Sequence, residues 1–66
     1  MKMQIKQLEK TLESLKEKHE SMDETFWNRS ENWQESEKGQ DFEDKMLELE
    51  DCIGELEDII ERLEDL

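Results

Sequence analysis

Apolar residues recur along the first half of the chain at alternating spacings of three and four. The pattern continues beyond one interruption at Arg29. This spacing places side chains on one face of an α-helix and is typical of the a and d positions of a heptad repeat. It predicts one long amphipathic helix over about residues 2–38. The apolar-face residues are Met1, Ile5, Leu8, Leu12, Leu15, His19, Met22, Phe26 and Trp33.

The second half repeats the pattern without a break, and the triplet Leu-Glu-Asp returns every seven residues from Leu49. We predict a second helix over about residues 42–66. With a at Met46, Ile53 and Ile60, the g positions of these heptads are also apolar, so the stripe covers roughly 3/7 of the helix surface. The a and d positions are Phe42, Met46, Leu49, Ile53, Leu56, Ile60 and Leu63, and the g positions are Cys52, Ile59 and Leu66.

The connection between the two helices has two interpretations. Gly39 resembles the residue that follows a helix and Asp41 resembles an N-cap, which predicts a turn at about residues 39–41. Alternatively, Ser30 caps a short separate helix from Glu31 to Lys38. Both interpretations predict an all-α helical hairpin that forms a single domain over residues 1–66.

The width of the second stripe predicts self-association, because one neighbouring helix cannot cover three rows. The chain has 66 residues, one cysteine and one histidine, so a large core, an intrachain disulfide and an ordinary zinc site are all excluded. We therefore predict a homodimer in which two hairpins form an antiparallel four-helix bundle. The predicted interface comprises Phe42, Met46, Leu49, Cys52, Ile53, Leu56, Ile59, Ile60, Leu63 and Leu66.

Charge is distributed unevenly along the chain, whose formal net charge is −12. Residues 41–66 contain two basic and twelve acidic side chains, whereas residues 1–20 contain five basic and four acidic ones. The e and f positions of the second helix form a continuous band of carboxylates that we expect opposite the apolar stripe, here called the acidic ridge. Its members are Glu50, Asp51, Glu57, Asp58, Glu64 and Asp65.

The acidic ridge has two interpretations. It is either a solvated helix face, partly neutralised by lysines of the first helix, or a surface that binds a basic protein. At a rise of about 1.5 Å per residue, the second helix carries about one net charge per 4 Å, close to the roughly 3.4 Å of a DNA single strand. Mimicry of DNA is therefore possible, while direct nucleic-acid binding by this ridge is excluded by repulsion.

The central segment contains residue types that dominate protein interfaces. Trp27 lies beside the apolar stripe, and Arg29 is placed to lay its guanidinium over Trp33 four residues on. Tryptophan and arginine are enriched at interface hot spots, so this segment is a candidate partner-binding patch. The alternative is that Phe26, Trp27 and Trp33 close the end of the bundle.

No motif of a catalytic, cofactor or metal site occurs in the chain, which has two glycines and no enclosed region for such a site. We expect no enzyme activity and no cofactor. No apolar run exceeds two residues, so no membrane segment or secretion signal is predicted. A single unpaired cysteine favours a reducing compartment, which predicts a cytoplasmic protein.

Residues 29–39 read Arg-Ser-Glu-Asn-Trp-Gln-Glu-Ser-Glu-Lys-Gly and are followed by Phe42, Lys45 and an acidic helix. This half of the chain resembles short uncharacterised proteins of phages and prophages that have an Arg-Ser-Glu-x-Trp-Gln-Glu-Ser-Glu-Lys-Gly core. The resemblance implies a small inhibitor of a host defence or nucleic-acid-binding protein, acting in the host cytoplasm. The alternative function is a homo-oligomeric coiled-coil structural or assembly module.

Overall fold

The computed structural model describes the whole chain, Met1–Leu66, and contains three helices and no strand. Helix α1 spans Lys2–Asn28, α2 spans Glu31–Glu35 and α3 spans Glu37–Glu64. The two long helices pack side by side and antiparallel, and the chain measures 49 × 15 × 11 Å. The predicted all-α helical hairpin is confirmed. None of the helices combines the length and apolar character needed to cross a membrane.

The core is a narrow seam between α1 and α3. Its only buried apolar side chains are Phe26, Met46, Ile53 and Ile60. Around them, the other a and d side chains of both helices are half-buried, as the heptad pattern predicts. The core is therefore thin, because two helices can cover only one side of each other.

The first helix ends ten residues earlier than the predicted boundary near residue 38. Asn28 is the last residue of α1, and Arg29 is extended, with φ −79° and ψ 160°. The Oγ of Ser30 then accepts a hydrogen bond from the backbone N–H of Trp33 at 3.2 Å. Ser30 therefore caps a short helix, as the alternative interpretation predicts, although this helix ends at Glu35 and not at Lys38.

The predicted turn at residues 39–41 is wrong, because α3 begins at Glu37. Ser36 caps α3: its Oγ accepts from the backbone N–H of Gly39 at 3.3 Å, and its hydroxyl donates to the carbonyl of Trp33. Gly39 is thus buried in the first turn of α3, and its φ is not positive. The glycine allows close packing of two backbones, whereas the sequence suggested a helix terminus.

Candidate functional site: two flanks of the hairpin

The register of the hairpin divides its surface into two flanks. Lys16 and Glu57 both occupy e positions, and Lys16 Nζ lies 3.7 Å from Glu57 Oε2. The e rows of α1 and α3 therefore meet on one side of the seam, which places the g rows on the other side. We call the side with the e and b positions the charged flank. The neutral flank is the other side, with the g and c positions of α1 and the last three g positions, Cys52, Ile59 and Leu66, which follow the basic g residues Lys38 and Lys45 of α3.

The acidic ridge consists of two rows with different surroundings. The e row borders the seam: Glu57 pairs with Lys16, and Glu50 Oε2 lies 3.9 Å from His19 Nε2. The Lys16–Glu57 pair is solvent-exposed and contributes at most about 1 kcal/mol, whereas His19 is half-buried and carries a charge only when protonated. The f row, Asp51, Asp58 and Asp65, is exposed and has no cation within 4.0 Å. The sequence suggested that both rows lie opposite the apolar stripe, but only the f row does.

The guanidinium of Arg29 lies over the ring of Trp33, with 4.8 Å between Cζ and the ring centroid. The predicted Arg29–Trp33 contact is therefore confirmed. Trp33 is half-buried and packs edge-on against Phe26 and Phe42, at centroid distances of 5.9 and 5.7 Å. Phe26 and Phe42 also stack on one another at 6.3 Å. Trp33 thus belongs to the aromatic cluster that closes the connected end of the hairpin.

Trp27 is a surface residue. Its side chain is 66% exposed, touches Phe26 edge-on and donates a hydrogen bond from Nε1 to Asp23 Oδ1 at 3.1 Å. Its b position places it on the charged flank. The predicted patch is therefore divided, since Trp33 stabilises the fold while Trp27 is free to contact another molecule.

The residues predicted to form an oligomer interface also separate into two groups. The a and d residues of α3 are buried or half-buried against α1, so the chain itself already covers them. The g residues Cys52, Ile59 and Leu66 are exposed, and Ile59 and Leu66 are 44% and 89% exposed. Only the g row remains available to a second molecule.

Sequence reasoning did not single out two features of these flanks. Leu47 is 53% exposed at a b position of α3, on the charged flank. The g and c positions of α1 are almost free of charge, a signal that the heptad register itself carries. These g and c residues are Gln4, Gln7, Thr11, Ser14, Lys18, Ser21, Thr25 and Asn28.

Comparisons with protein-family models, with characterised proteins and with solved structures give no match to this chain. The resemblance of residues 29–39 to phage and prophage proteins stays a prediction. Nowhere on the surface are three His, Cys, Asp or Glu side chains grouped to hold a metal ion.

Proposed function

We propose that this chain is a small acidic binding protein that acts stoichiometrically on a basic surface of another protein, and not as an enzyme. Its partner would be a host defence or nucleic-acid-binding protein, with the ridge occupying the groove that otherwise holds a phosphate backbone. The resemblance to phage proteins is consistent with this role.

The observation that carries the proposal is the excess of unpaired carboxylates on α3. This helix has twelve acidic and three basic side chains, net −9, and only the Lys16–Glu57 ion pair and the longer His19–Glu50 contact connect its carboxylates to α1. Its 28 residues extend over about 42 Å at 1.5 Å per residue, so the net charge density is about one per 5 Å. Mixed-sign charge solubilises a helix equally well, so solubility alone does not account for a single sign.

The exposed apolar residues on the charged flank support the same interpretation. Trp27 and Leu47 both occupy b positions, and both are more than half exposed. Carboxylates steer a basic partner and set the specificity of an interface, while aromatic and aliphatic anchors supply much of its affinity. The charged flank therefore offers both components, with the f row of the ridge beside it.

The f row allows a clean test, because its carboxylates make no ion pair. The ridge variant carries Asp51→Asn, Asp58→Asn and Asp65→Asn. The matched control carries Glu17→Gln, Glu24→Gln and Glu35→Gln, three exposed positions outside α3 and outside the charged flank, so the net charge of both proteins rises from −12 to −9. Because the two variants have the same net charge, any difference in their binding to the partner must come from where the charges were removed.

Displacement of a fluorescent DNA duplex from purified host DNA-binding and defence proteins provides the measurement. We expect the wild type to displace DNA from at least one of them at micromolar concentration. The ridge variant should do so at least about tenfold more weakly, and the control should resemble the wild type. Binding should weaken as salt shortens the screening length from about 10 Å at 0.1 M to about 3 Å at 1 M. Equal activity of the two variants, or no displacement at all, would overturn the proposal.

A further inference from the structure

The two flanks of α1 differ sharply in charge. On the neutral flank, seven of the eight g and c residues are uncharged, and the exception is Lys18. On the charged flank, seven of the eight e and b residues are charged, and the exception is Trp27; these residues are Lys2, Lys6, Glu9, Glu13, Lys16, Glu20, Asp23 and Trp27. Charged residues make up 45% of the chain, so an almost uncharged stripe along a whole helix needs an explanation. Depletion of charge is characteristic of the centre of a protein interface.

The polar groups on the neutral flank are partly satisfied within α1. The hydroxyl of Thr11 donates to the carbonyl of Gln7 at 3.1 Å, and the hydroxyl of Thr25 donates to the carbonyl of Ser21 at 2.9 Å. These hydroxyls keep their hydrogen bonds when water is removed, so their burial is inexpensive. The threonine methyl groups remain available for contact.

Helix α3 contributes the apolar part of the same flank. Ile59 and Leu66 are exposed there, and together with Leu63 and Arg62 they line a shallow groove at the open end of the hairpin. No residue of α1 covers them. The neutral flank is therefore a broad surface with an apolar strip on one helix and a polar, uncharged strip on the other.

The dimensions of this surface suit a dimer. A face of 49 by 15 Å has an area on the order of 700 Å², close to the roughly 800 Å² that each partner buries in a standard interface. The chain exposes 5527 Å², whereas a globular monomer of its 8.0 kDa would expose about 4,500 Å². Covering the neutral flank would bring the exposed area per chain close to the globular value.

We propose that a second copy of this chain packs on the neutral flank, and that each α3 lies against α1 of the other copy. The net charges of the two helices favour packing of α3 on α1 over packing of α3 on α3. Helix α1 has five basic and six acidic side chains, net −1, while α3 has net −9. Packing α3 on α3 would place the two strongly acidic helices together, whereas packing α3 on α1 keeps them at opposite corners of the bundle.

The borders of the flank agree with this pairing. Glu48 and Glu55 occupy c positions of α3, beside its apolar g row, and both are exposed. In the α3-on-α1 arrangement, Glu48 lies level with Lys18 of the second copy, the one charged residue on the neutral flank of α1. In the α3-on-α3 arrangement, these glutamates would face the same glutamates of the second copy. The two acidic ridges of the proposed dimer point in opposite directions and stay exposed.

Sedimentation equilibrium at micromolar concentration tests whether the neutral flank is the dimer interface. We expect the wild type to be a dimer whose affinity rises with salt, because screening reduces the repulsion between two chains of −12. Ile59→Lys should raise the dissociation constant at least about tenfold even though it lowers the net negative charge. Leu47→Lys makes the same change at a comparably exposed residue of the charged flank and should leave the dimer intact. A helical wild-type monomer, or equal effects of the two substitutions, would overturn the proposal.

Disulfide crosslinking tests whether α3 lies against α1 of the second copy. This experiment remains informative even if the Ile59→Lys protein does not fold. Ser14→Cys adds a thiol to the neutral flank of α1, level with the native Cys52 of the second copy. Mild oxidation should yield a covalent dimer joined between positions 14 and 52. Glu13→Cys, the neighbouring position on the charged flank, should yield none, and the wild type should not join through two copies of Cys52. Efficient crosslinking of the wild type through Cys52 would contradict the α3-on-α1 arrangement.

The dimer proposal does not depend on the proposed function. Ile59→Lys should abolish dimerisation without removing the acidic ridge, and the f-row variant should lose its basic partner while remaining dimeric. The two interactions also respond to salt in opposite directions. Failure of either proposal is thus distinguishable from failure of the other.

Discussion

Gly39, in the first turn of α3, packs its bare Cα against the carbonyl group of Gln34 in α2. A Cβ at this position would lie 2.6 Å from the Gln34 oxygen and 2.8 Å from its carbon, closer than real Cβ atoms approach other atoms. Any side chain at Gly39 therefore pushes α2 away from α3. This contact fixes the connection between the two long helices and brings Trp33 onto the aromatic cluster.

Replacement of Gly39 by alanine should destabilise the fold. The clash is with backbone and not with a flexible side chain, so we expect a loss of about 1–3 kcal/mol in the free energy of unfolding. Gly54 is the matched control, because a Cβ there meets nothing within 4 Å. Gly54→Ala should stabilise the helix by about 1 kcal/mol. Urea unfolding at one protein concentration measures the change in the free energy of unfolding of both variants. A Gly39→Ala protein as stable as the wild type would refute the close-packing explanation.

Replacement of Gln34 by glutamate should weaken the end of α1. The side-chain Nε2 of Gln34 donates to the carbonyl oxygens of Phe26 and Arg29, both at 3.1 Å. A carboxylate cannot donate and would face two carbonyl oxygens, so we expect a loss of about 1–3 kcal/mol. Gln40→Glu adds the same charge at an exposed position and serves as the control. Equal melting temperatures of the two variants would argue against a role for these hydrogen bonds.

The neighbouring aromatics Phe26 and Trp27 should differ greatly in their effect on stability. Phe26 is 3% exposed and contacts three other aromatic rings, so Phe26→Ala should cost about 3–5 kcal/mol. Trp27→Ala removes an exposed ring and one hydrogen bond and should cost about 1 kcal/mol or less. Circular dichroism during thermal unfolding gives the comparison. A larger loss for Trp27→Ala than for Phe26→Ala would show that the aromatic cluster is not the centre of the fold.

Loss of either serine cap should be measurable separately. Ser30→Ala removes the acceptor for the Trp33 N–H, and Ser36→Ala removes the acceptor for the Gly39 N–H. Each substitution should cost about 1 kcal/mol. Ser14→Ala, in the middle of α1, should instead be neutral or slightly stabilising because alanine is the better helix former. Chemical unfolding of the three variants provides the test, and a stabilising Ser36→Ala would mean that α3 does not start at Glu37.

The positions of the functional candidates were only partly predictable. The heptad register placed Asp51, Asp58 and Asp65 on the outside of α3, and they are exposed. It placed Trp33 in the apolar stripe and Trp27 beside it, in agreement with their exposure. It did not show that Trp33 packs on Phe42, because that contact depends on where α2 turns back. It allowed lysines of the first helix to neutralise part of the ridge, but did not show which residues meet: Lys16 reaches Glu57 and His19 reaches Glu50, because the partner across the seam depends on how the two helices align.

The sequence by itself determined the two long helices and the seam between them. A 3.6-residue period is a local property, and a continuous apolar stripe forms the same helix face in any context where it can be buried. Ser30 also carried a local capping signal, and the alternative that used it located the end of α1 correctly, whereas the N-cap of α3 is Ser36 and not the expected Asp41.

Only the tertiary structure decided where the chain turns. Gly39 and Asp41 have the residue types of a helix boundary, but the local preference for a turn there is worth about 1 kcal/mol. The competing arrangement packs the rings of Phe26, Trp33 and Phe42 together and gives the carbonyl oxygens of Phe26 and Arg29 a donor in Gln34. It needs a residue without Cβ at position 39. Because burial of aromatic rings from three helices outweighs a local preference, the glycine that looked like a terminus became a packing contact inside α3.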